Sequence, residues 1–146
     1  MMKKILIVNG PNLNLLGQRE DKIYGKNTLK DIEKNCSIKG KELNLEINFF
    51  QSNNEGEIIS KLHEVENLFD GLIINPAAFT HSSIAILDSL RAISKPKIEV
   101  HLSNIYSREE YRKKSITSEG VNGLICGFSG NSYTLAIEAI SKLIYK

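Results

Sequence analysis

The stretch KKILIV, residues 3–8, is the first of five short apolar or β-rich runs, and the polar sequence NGPNLNLLGQREDKIYG follows it at residues 9–25. The later runs have five or six residues, and they are residues 45–50, 71–75, 97–101 and 122–126. Apolar residues at helical spacing separate the runs. The four helical groups are Leu29, Ile32 and Cys36, which Thr28 opens; Ile58, Ile59, Leu62, Val65 and Phe69; Thr80, Ile84, Leu87 and Leu90; and Leu135, Ala136, Ala139, Ile140, Leu143 and Ile144. The chain therefore alternates strand and helix.

This alternation predicts an α/β domain, because parallel strands are joined by right-handed crossovers that place helices on the sheet. We expect a flavodoxin-like three-layer fold with a five-stranded parallel sheet. Ligands of such sheets bind beyond the carboxyl ends of the strands, where this chain concentrates Asn, Gln, Ser and His residues. The loop over residues 9–27 is long for a compact domain, which is typical of a binding loop or a lid.

Length and charge limit the possible functions. A chain of 146 residues has the size of one domain, so we predict a single domain over residues 1–146. Its net charge of +2 argues against broad binding to nucleic acid or to an anionic membrane. The apolar runs are too short for a membrane helix or a signal peptide, so we expect a cytoplasmic protein. Cys36 and Cys126 have neither metal nor redox spacing and are predicted to be buried thiols.

Arg19 and Tyr24 stand five positions apart in the long loop. A tyrosine, with a reference pKa of about 10, is a poor base at neutral pH unless a cation stabilises its phenolate. An arginine can do so because it stays charged and binds anionic oxygen well. In the structural alternative, Tyr24 anchors the loop by packing and Arg19 is solvated.

The run NPAAFTHSSIAILD, residues 75–88, leaves the third strand and enters a helix. We predict that Thr80 caps this helix and that His81 lies in its first turn, where backbone amides favour an anion. Asp88 lies two turns further along nearly the same face. The alternative is that His81 is a surface residue and that Asp88 is a solvated charge.

The run EVHLSN, residues 99–104, places Glu99 and His101 on the same side of the fourth strand, since side chains alternate along a strand. A carboxylate so placed can hold the imidazole and favour its charged form, which makes the histidine a better proton donor. A buried histidine that is merely hydrogen-bonded is the alternative.

Arg108 and Arg112 follow, four residues apart in a predicted short helix within IYSREEYRKKS, residues 105–115. This spacing places two guanidinium groups on one face, which suits either a carboxylate clamp or an ordinary charged surface.

No metal is predicted, because the histidines and acidic residues lack the clustered spacing of a metal site. The run GFSGNSYT, residues 127–134, is similar to the flavin-phosphate loop of flavodoxins, but it follows the fifth run, where flavodoxins have that loop after the first strand. A helix-capping loop is favoured over flavin binding.

Taken together, NGPNLNLLGQRE, YG, NPAAFTHSSIAILD, EVHLSN and REEYR resemble the type II 3-dehydroquinate dehydratases over nearly the whole chain. The resemblance implies a cofactor-free lyase that converts 3-dehydroquinate to 3-dehydroshikimate and water through an enolate, in the shikimate pathway of aromatic amino acid biosynthesis. It also implies a homo-oligomer, a dodecamer built from trimers, with no nucleic acid or membrane partner.

The resemblance further implies roles for individual residues. The implied catalytic residues are Tyr24 as the base, Arg19 as the support of its phenolate form, His101 as the acid, Glu99 as its orienting carboxylate, and Asn12 as the residue that holds the water or oxygen of the enolate. The implied substrate-binding residues are Asn75, His81, Arg108, Arg112, the carboxylate-holding turn of Leu102 and Ser103, and Asp88, which reaches the site of a neighbouring subunit.

The chain departs from the family pattern at a few positions. Asp21 stands where the family commonly has a proline, which predicts a less rigid loop. Tyr111 replaces the usual phenylalanine, and Lys114-Ser115-Ile116 replaces a frequent His-Ser-Tyr. These departures concern loop mobility and assembly contacts and leave the implied reaction unchanged.

Overall fold

The computed structural model describes residues 2–18 and 20–146, apart from the side chain of Asp21. One parallel sheet has the strand order β2-β1-β3-β4-β5. Its strands are β1 (Lys3–Asn9), β2 (Leu45–Gln51), β3 (Gly71–Asn75), β4 (Lys97–His101) and β5 (Gly123–Cys126). The five predicted strands are confirmed, with ends that agree to within one residue.

Helices cover both faces of the sheet. They are α1 (Asp21–Tyr24), α2 (Leu29–Glu42), α3 (Glu55–Leu62), α4 (Val65–Leu68), α5 (Ile84–Arg91) and α6 (Asn131–Ile144). Buried residues of α2 and α6 share one apolar core, while those of α3, α4 and α5 share the other. The predicted three-layer α/β fold is therefore confirmed.

The strand sequences explain why the sheet is buried on both faces. In β1, Ile5 and Ile7 point into the core beneath α2 and α6, whereas Leu6 and Val8 point into the opposite core. All four side chains are at most 1% exposed. A strand buried on both faces has a continuous apolar sequence, because neither side chain direction meets solvent. KKILIV is such a sequence, and it therefore indicates the central strand of a parallel sheet.

Helix α2 begins as predicted, because the hydroxyl of Thr28 accepts a hydrogen bond from the amide of Asp31, whose carboxylate in turn accepts one from the amide of Thr28. The second predicted helix is divided in two: α3 ends at Leu62, and α4 begins at Val65.

The predicted start of α5 was wrong. Thr80 is fully buried inside a 3-10 turn, Ala77–His81, and the cap is Ser83, whose hydroxyl accepts a hydrogen bond from the amide of Ile86. His81 consequently precedes the helix. Both Thr80 and Ser83 are residues that cap helices well, so only the tertiary path of the chain decides between them.

The buried stripe of α6 also differs from the prediction. It consists mainly of Tyr133, Ala136, Ile137 and Ile140, whereas Leu135 and Leu143 are 40% and 36% exposed. The stripe follows the helical period from Tyr133, three and four residues at a time. Of the predicted apolar residues, Ala136 and Ile140 are buried and Ala139 and Ile144 pack against the same core, so only Leu135 and Leu143 were assigned wrongly.

The two cysteines differ in exposure. Cys36 is fully buried as predicted, but Cys126 is only partly buried, because it lies at the end of the edge strand β5. Both thiols are free. None of the helices described is long and apolar enough to cross a membrane.

The carboxyl edge of the sheet brings the loops after β1 and β3 into contact. Asn9 is in register with Asn75, and the amide of Gly10 donates to the carbonyl oxygen of Asn75 at 2.8 Å. A Cβ atom on Gly10 would lie 2.5 Å from the carbonyl oxygen of Pro76. Only glycine allows this approach, so Gly10 helps to fix the floor of the site.

Candidate active site

A polar pocket opens at the carboxyl edge of the sheet, between α1 and the loops after β1, β3 and β4. Its lining residues are Pro11, Asn12, Leu13, Tyr24, Asn75, Ala77, Ala78, His81, His101, Leu102, Ser103, Ile105, Arg108 and Arg112. Nine of these are residues that the sequence analysis selected, namely Asn12, Tyr24, Asn75, His81, His101, Leu102, Ser103, Arg108 and Arg112. The residues after separate strands therefore converge on one cavity.

Two selected residues that the structure describes are not in this lining. Glu99 is fully buried behind His101, and Asp88 is exposed on α5. Arg19 lies outside the described residues, as does the side chain of Asp21, so the predictions that concern them are untested.

His101 and Glu99 form a buried pair at the end of β4. The two side chains lie on the same side of the strand, and His101 Nε2 is 2.7 Å from Glu99 Oε2. A carboxylate can only accept here, so the Nε2 atom carries the proton. The other ring nitrogen, Nδ1, is the remaining imidazole atom that can exchange a proton with a molecule in the pocket. This arrangement suits a general acid.

Tyr24 ends α1 and stands beside two cationic side chains. The guanidinium carbon of Arg108 lies 5.1 Å from the centroid of the Tyr24 ring. Burial by itself would lower the pKa of Arg112, but the negative charges of the Tyr24 phenolate and the Glu109 carboxylate outweigh burial and raise it. Both arginines therefore lie within electrostatic reach of Tyr24.

The two arginines are held by a short irregular segment in which the predicted single helix was wrong. Two 3-10 turns, Ile105–Ser107 and Glu110–Arg112, replace it, and Arg108 lies between them. Arg108 Nη1 donates to Ser103 Oγ at 3.4 Å. Arg112 Nε lies 2.8 Å from Glu109 Oε2, an ion pair whose N–H does not point along the contact. Both residues nevertheless line the pocket, although not through the helical spacing that was predicted.

His81 contributes a neutral imidazole to the pocket wall. Its Nδ1 lies 2.8 Å from the carbonyl oxygen of Lys114, which can only accept, so Nδ1 carries the proton and Nε2 is an acceptor. Burial is the main reason that the pKa of His81 is lowered, and the nearby His101 and Arg112 act in the same direction. A neutral His81 can accept a hydrogen bond from a substrate hydroxyl.

The amide of Asn75 is oriented by a buried chain of hydrogen bonds. Its Nδ2 donates to the hydroxyl of Tyr133 at 2.9 Å, and that hydroxyl donates to Asn9 Oδ1 at 2.5 Å. Asn75 Oδ1 accepts from the amide of Ala77 at 3.1 Å. These contacts distinguish the Oδ1 atom from the Nδ2 atom of the Asn75 side chain. Tyr133 is fully buried, and burial raises its pKa, so the phenol remains a neutral donor.

Asn12 reaches the pocket from a left-handed turn after β1. Its φ is 70°, a conformation that asparagine tolerates better than most residues. Its backbone N–H donates to Asn53 Oδ1 at 2.9 Å. The turn thus holds Asn12 in the lining of the pocket.

Three residues that support the site were not predicted from the sequence. Tyr133 holds Asn75, and the hydroxyl groups of Ser115 and Thr117 contact Glu99. Serine, threonine and tyrosine occur throughout the chain, and these three contact partners that are between 16 and 58 residues away. The local sequence offered no signal that could have distinguished them.

The segment over residues 127–134 forms a turn that is closed by a hydrogen bond between two of its own residues. Gly127 and Ser129 have positive φ values of 96° and 51°, and the hydroxyl of Ser132 accepts a hydrogen bond from the amide of Phe128. The residue before α6 is Gly130, which makes no side-chain capping hydrogen bond, so the predicted helix-capping role is not confirmed. Across residues 2–18 and 20–146, no group of three or more His, Cys, Asp or Glu side chains could hold a metal ion.

A doubly wound parallel sheet with a tyrosine and a histidine in a pocket at its carboxyl edge is typical of an α/β enzyme. Known proteins share both the sequence and the fold. The family described as dehydroquinase class II matches residues 3–141. A 3-dehydroquinate dehydratase from Clostridium botulinum is 55% identical over 139 residues, which cover 95% of each chain. One from Bartonella tribocorum is 54% identical over 142 residues, which cover 97% of this chain and 95% of that protein.

The crystal structure of a type II dehydroquinase from Butyrivibrio crossotus superposes with a TM-score of 0.93 at 45% identity, covering 95% of this chain and 97% of that one. The chain therefore belongs to the dehydroquinase class II family.

Proposed function

We propose that this chain is a type II 3-dehydroquinate dehydratase, which removes water from 3-dehydroquinate to give 3-dehydroshikimate in the shikimate pathway of aromatic amino acid biosynthesis. The observation that carries the proposal is the pairing of functions in one pocket. Tyr24 lies beside Arg108 and Arg112, and His101 is backed by the buried Glu99. An elimination of water requires a base that takes a proton from carbon and an acid that gives a proton to the leaving hydroxyl group.

The first step is removal of a proton next to the substrate ketone. The Tyr24 phenolate takes this proton, which leaves an enolate. Arg108 and Arg112 stabilise the phenolate, and Arg19 is proposed to do the same. Asn12 holds the water or oxygen of the enolate, where negative charge develops.

The second step expels the β-hydroxyl group. The enolate electrons re-form the ketone and create the carbon–carbon double bond, while the hydroxyl leaves with a proton from His101 as water. Glu99 stabilises the imidazolium before the transfer. The proton on Tyr24 returns to solvent and His101 takes one up, so no cofactor is consumed.

The remaining polar residues of the pocket bind the substrate. Leu102 and Ser103 hold its carboxylate at the carboxyl end of β4, and Arg108 braces Ser103. Asn75, His81 and Arg112 bind its oxygen atoms. No lysine is found among the lining residues that the structure describes, which supports an elimination through an enolate over a Schiff base.

The finer features of the proposal concern assembly and location. We propose one domain over residues 1–146, because both cores share one sheet, and a dodecamer built from trimers in which the exposed Asp88 reaches a neighbouring site. The two free cysteines support a reducing compartment, the cytoplasm. Light scattering at several protein concentrations measures the assembly, and a monomer would contradict it.

The direct test mixes the purified protein with 3-dehydroquinate in a buffer that contains a chelator. The conjugated enone of the product absorbs in the ultraviolet and the substrate does not, so absorbance should grow with time. Borohydride, which traps imines, should leave the activity intact when substrate is present. A folded protein that produces no enone would refute the proposed function.

A further inference from the structure

Glu99 receives three side-chain hydrogen bonds although it is 0% exposed. His101 Nε2 and Ser115 Oγ each lie 2.7 Å from Oε2, and the hydroxyl of Thr117 donates to Oε1. Thr117 is itself fully buried. Both oxygens of the carboxylate are thus bound by groups from outside β4.

The direction of each hydrogen bond follows from its partners. Ser115 Oγ accepts from the amide of Ser118 at 3.0 Å, so its own proton is left to donate to Glu99. A carboxylate that accepts several hydrogen bonds is stabilised as the anion, and this offsets the cost of burying its charge. The two hydroxyl groups therefore give the buried Glu99 carboxylate hydrogen bonds that water cannot supply.

Residues 115–118, here called the hydroxyl turn, are fixed to the wall of the pocket. The amide of Ile116 donates to the carbonyl oxygen of Thr80 at 2.8 Å. The preceding residue, Lys114, accepts the hydrogen bond from His81. The turn therefore joins the wall that carries His81 to the carboxylate behind His101, and it cannot shift without disturbing both.

We infer that Ser115 and Thr117 are positioning residues, which hold the Glu99 carboxylate against His101 for the step that expels the hydroxyl group. The inference rests on the proposed function. Neither hydroxyl reaches the pocket lining, so both act through Glu99. They fix the plane of the carboxylate, and the carboxylate fixes the ring of His101 and stabilises its proton.

The variant Thr117→Val tests this because valine keeps the shape of threonine and removes one donor. We expect kcat to fall roughly tenfold to hundredfold, as for the loss of one hydrogen bond to a charged group, with KM changed by less than about threefold. Thr117→Ser should recover most of the lost rate. The matched control is Thr134→Val, the same substitution at a hydroxyl that donates to the carbonyl oxygen of Asn131 in α6 and lies outside the pocket lining; its kcat should equal that of the wild type.

A second readout separates positioning from a general loss of structure. In deuterated water, Tyr24 can exchange the proton it has taken before the enolate is reprotonated, so recovered substrate gains deuterium next to its ketone. Slowing only the His101 step should raise the ratio of exchange to elimination in Thr117→Val and in Ser115→Ala. A wild-type kcat in both variants, or a parallel fall of exchange and elimination, would overturn the inference. A wild type that forms no enone would refute the proposed function instead.

Discussion

Replacing Tyr133 by phenylalanine removes one hydroxyl group from the centre of the molecule. That hydroxyl donates to Asn9 Oδ1 and accepts from Asn75 Nδ2. Asn9 is 1% exposed, so water cannot replace the donor that it loses. The ring itself still fills its place in the core, and the expected loss of stability is therefore that of the hydrogen bonds alone.

The magnitude follows from the two groups that lose a partner. A buried polar group left unsatisfied costs about 1–3 kcal/mol. Asn75 lines the pocket, where water can accept from its amide, whereas Asn9 does not line it. We therefore expect the free energy of unfolding to fall by about 2–4 kcal/mol, most of it from Asn9. For a domain of this size the midpoint temperature should fall by roughly 5–15 °C.

The assay is urea unfolding followed by circular dichroism at one fixed protein concentration, because association would make stability depend on concentration. The control variant is Tyr106→Phe, since Tyr106 is 50% exposed and its hydroxyl can reach water. We expect the control to stay within about 0.5 kcal/mol of the wild type, as surface substitutions do. If Tyr133→Phe is equally mild, the buried chain of hydrogen bonds does not stabilise the fold.

Three further predictions concern other parts of the molecule. Gly10→Ala should lower the free energy of unfolding by about 1–3 kcal/mol, because its Cβ would lie 2.5 Å from a backbone oxygen, while Gly123→Ala, with nothing within 4 Å, should not; equal urea midpoints would contradict this. Iodoacetamide at pH 8 should label Cys126 and spare Cys36 in the native protein, because burial raises the pKa of the Cys36 thiol to about 12, and rapid labelling of Cys36 seen by mass spectrometry would refute its burial. Acid should destabilise the wild type more than His81→Gln: the folded pKa of His81 is lowered, so below about pH 6.5 the unfolded chain binds the proton first, and urea midpoints at pH 7.5 and 5.5 that fall equally in both proteins would be inconsistent with this.

Features fixed by local geometry could be predicted from the sequence. The strands are read from apolar runs because each is buried on both faces of a parallel sheet. The contact between Glu99 and His101 follows from alternation over two residues. The position of the pocket follows from the rule that strand ends converge at one edge of the sheet.

Features fixed by distant contacts could not be predicted. Thr80 and Ser83 are equally good caps, and the burial of Thr80 decides between them. Tyr133 reaches Asn9 across 124 residues, and Thr117 reaches Glu99 across 18. A hydroxyl group carries no sign of such a partner in the sequence, since its contacts exist only once the chain has folded.

We propose that Tyr24, as a phenolate beside the arginines, removes the substrate proton. Its most direct test is the kcat of Tyr24→Phe for enone formation, measured beside Tyr106→Phe. We expect a fall of roughly 10²- to 10⁴-fold in Tyr24→Phe, the usual contribution of a general base, with substrate still bound and the control fully active. A Tyr24→Phe enzyme that retains more than a tenth of the wild-type kcat would contradict it.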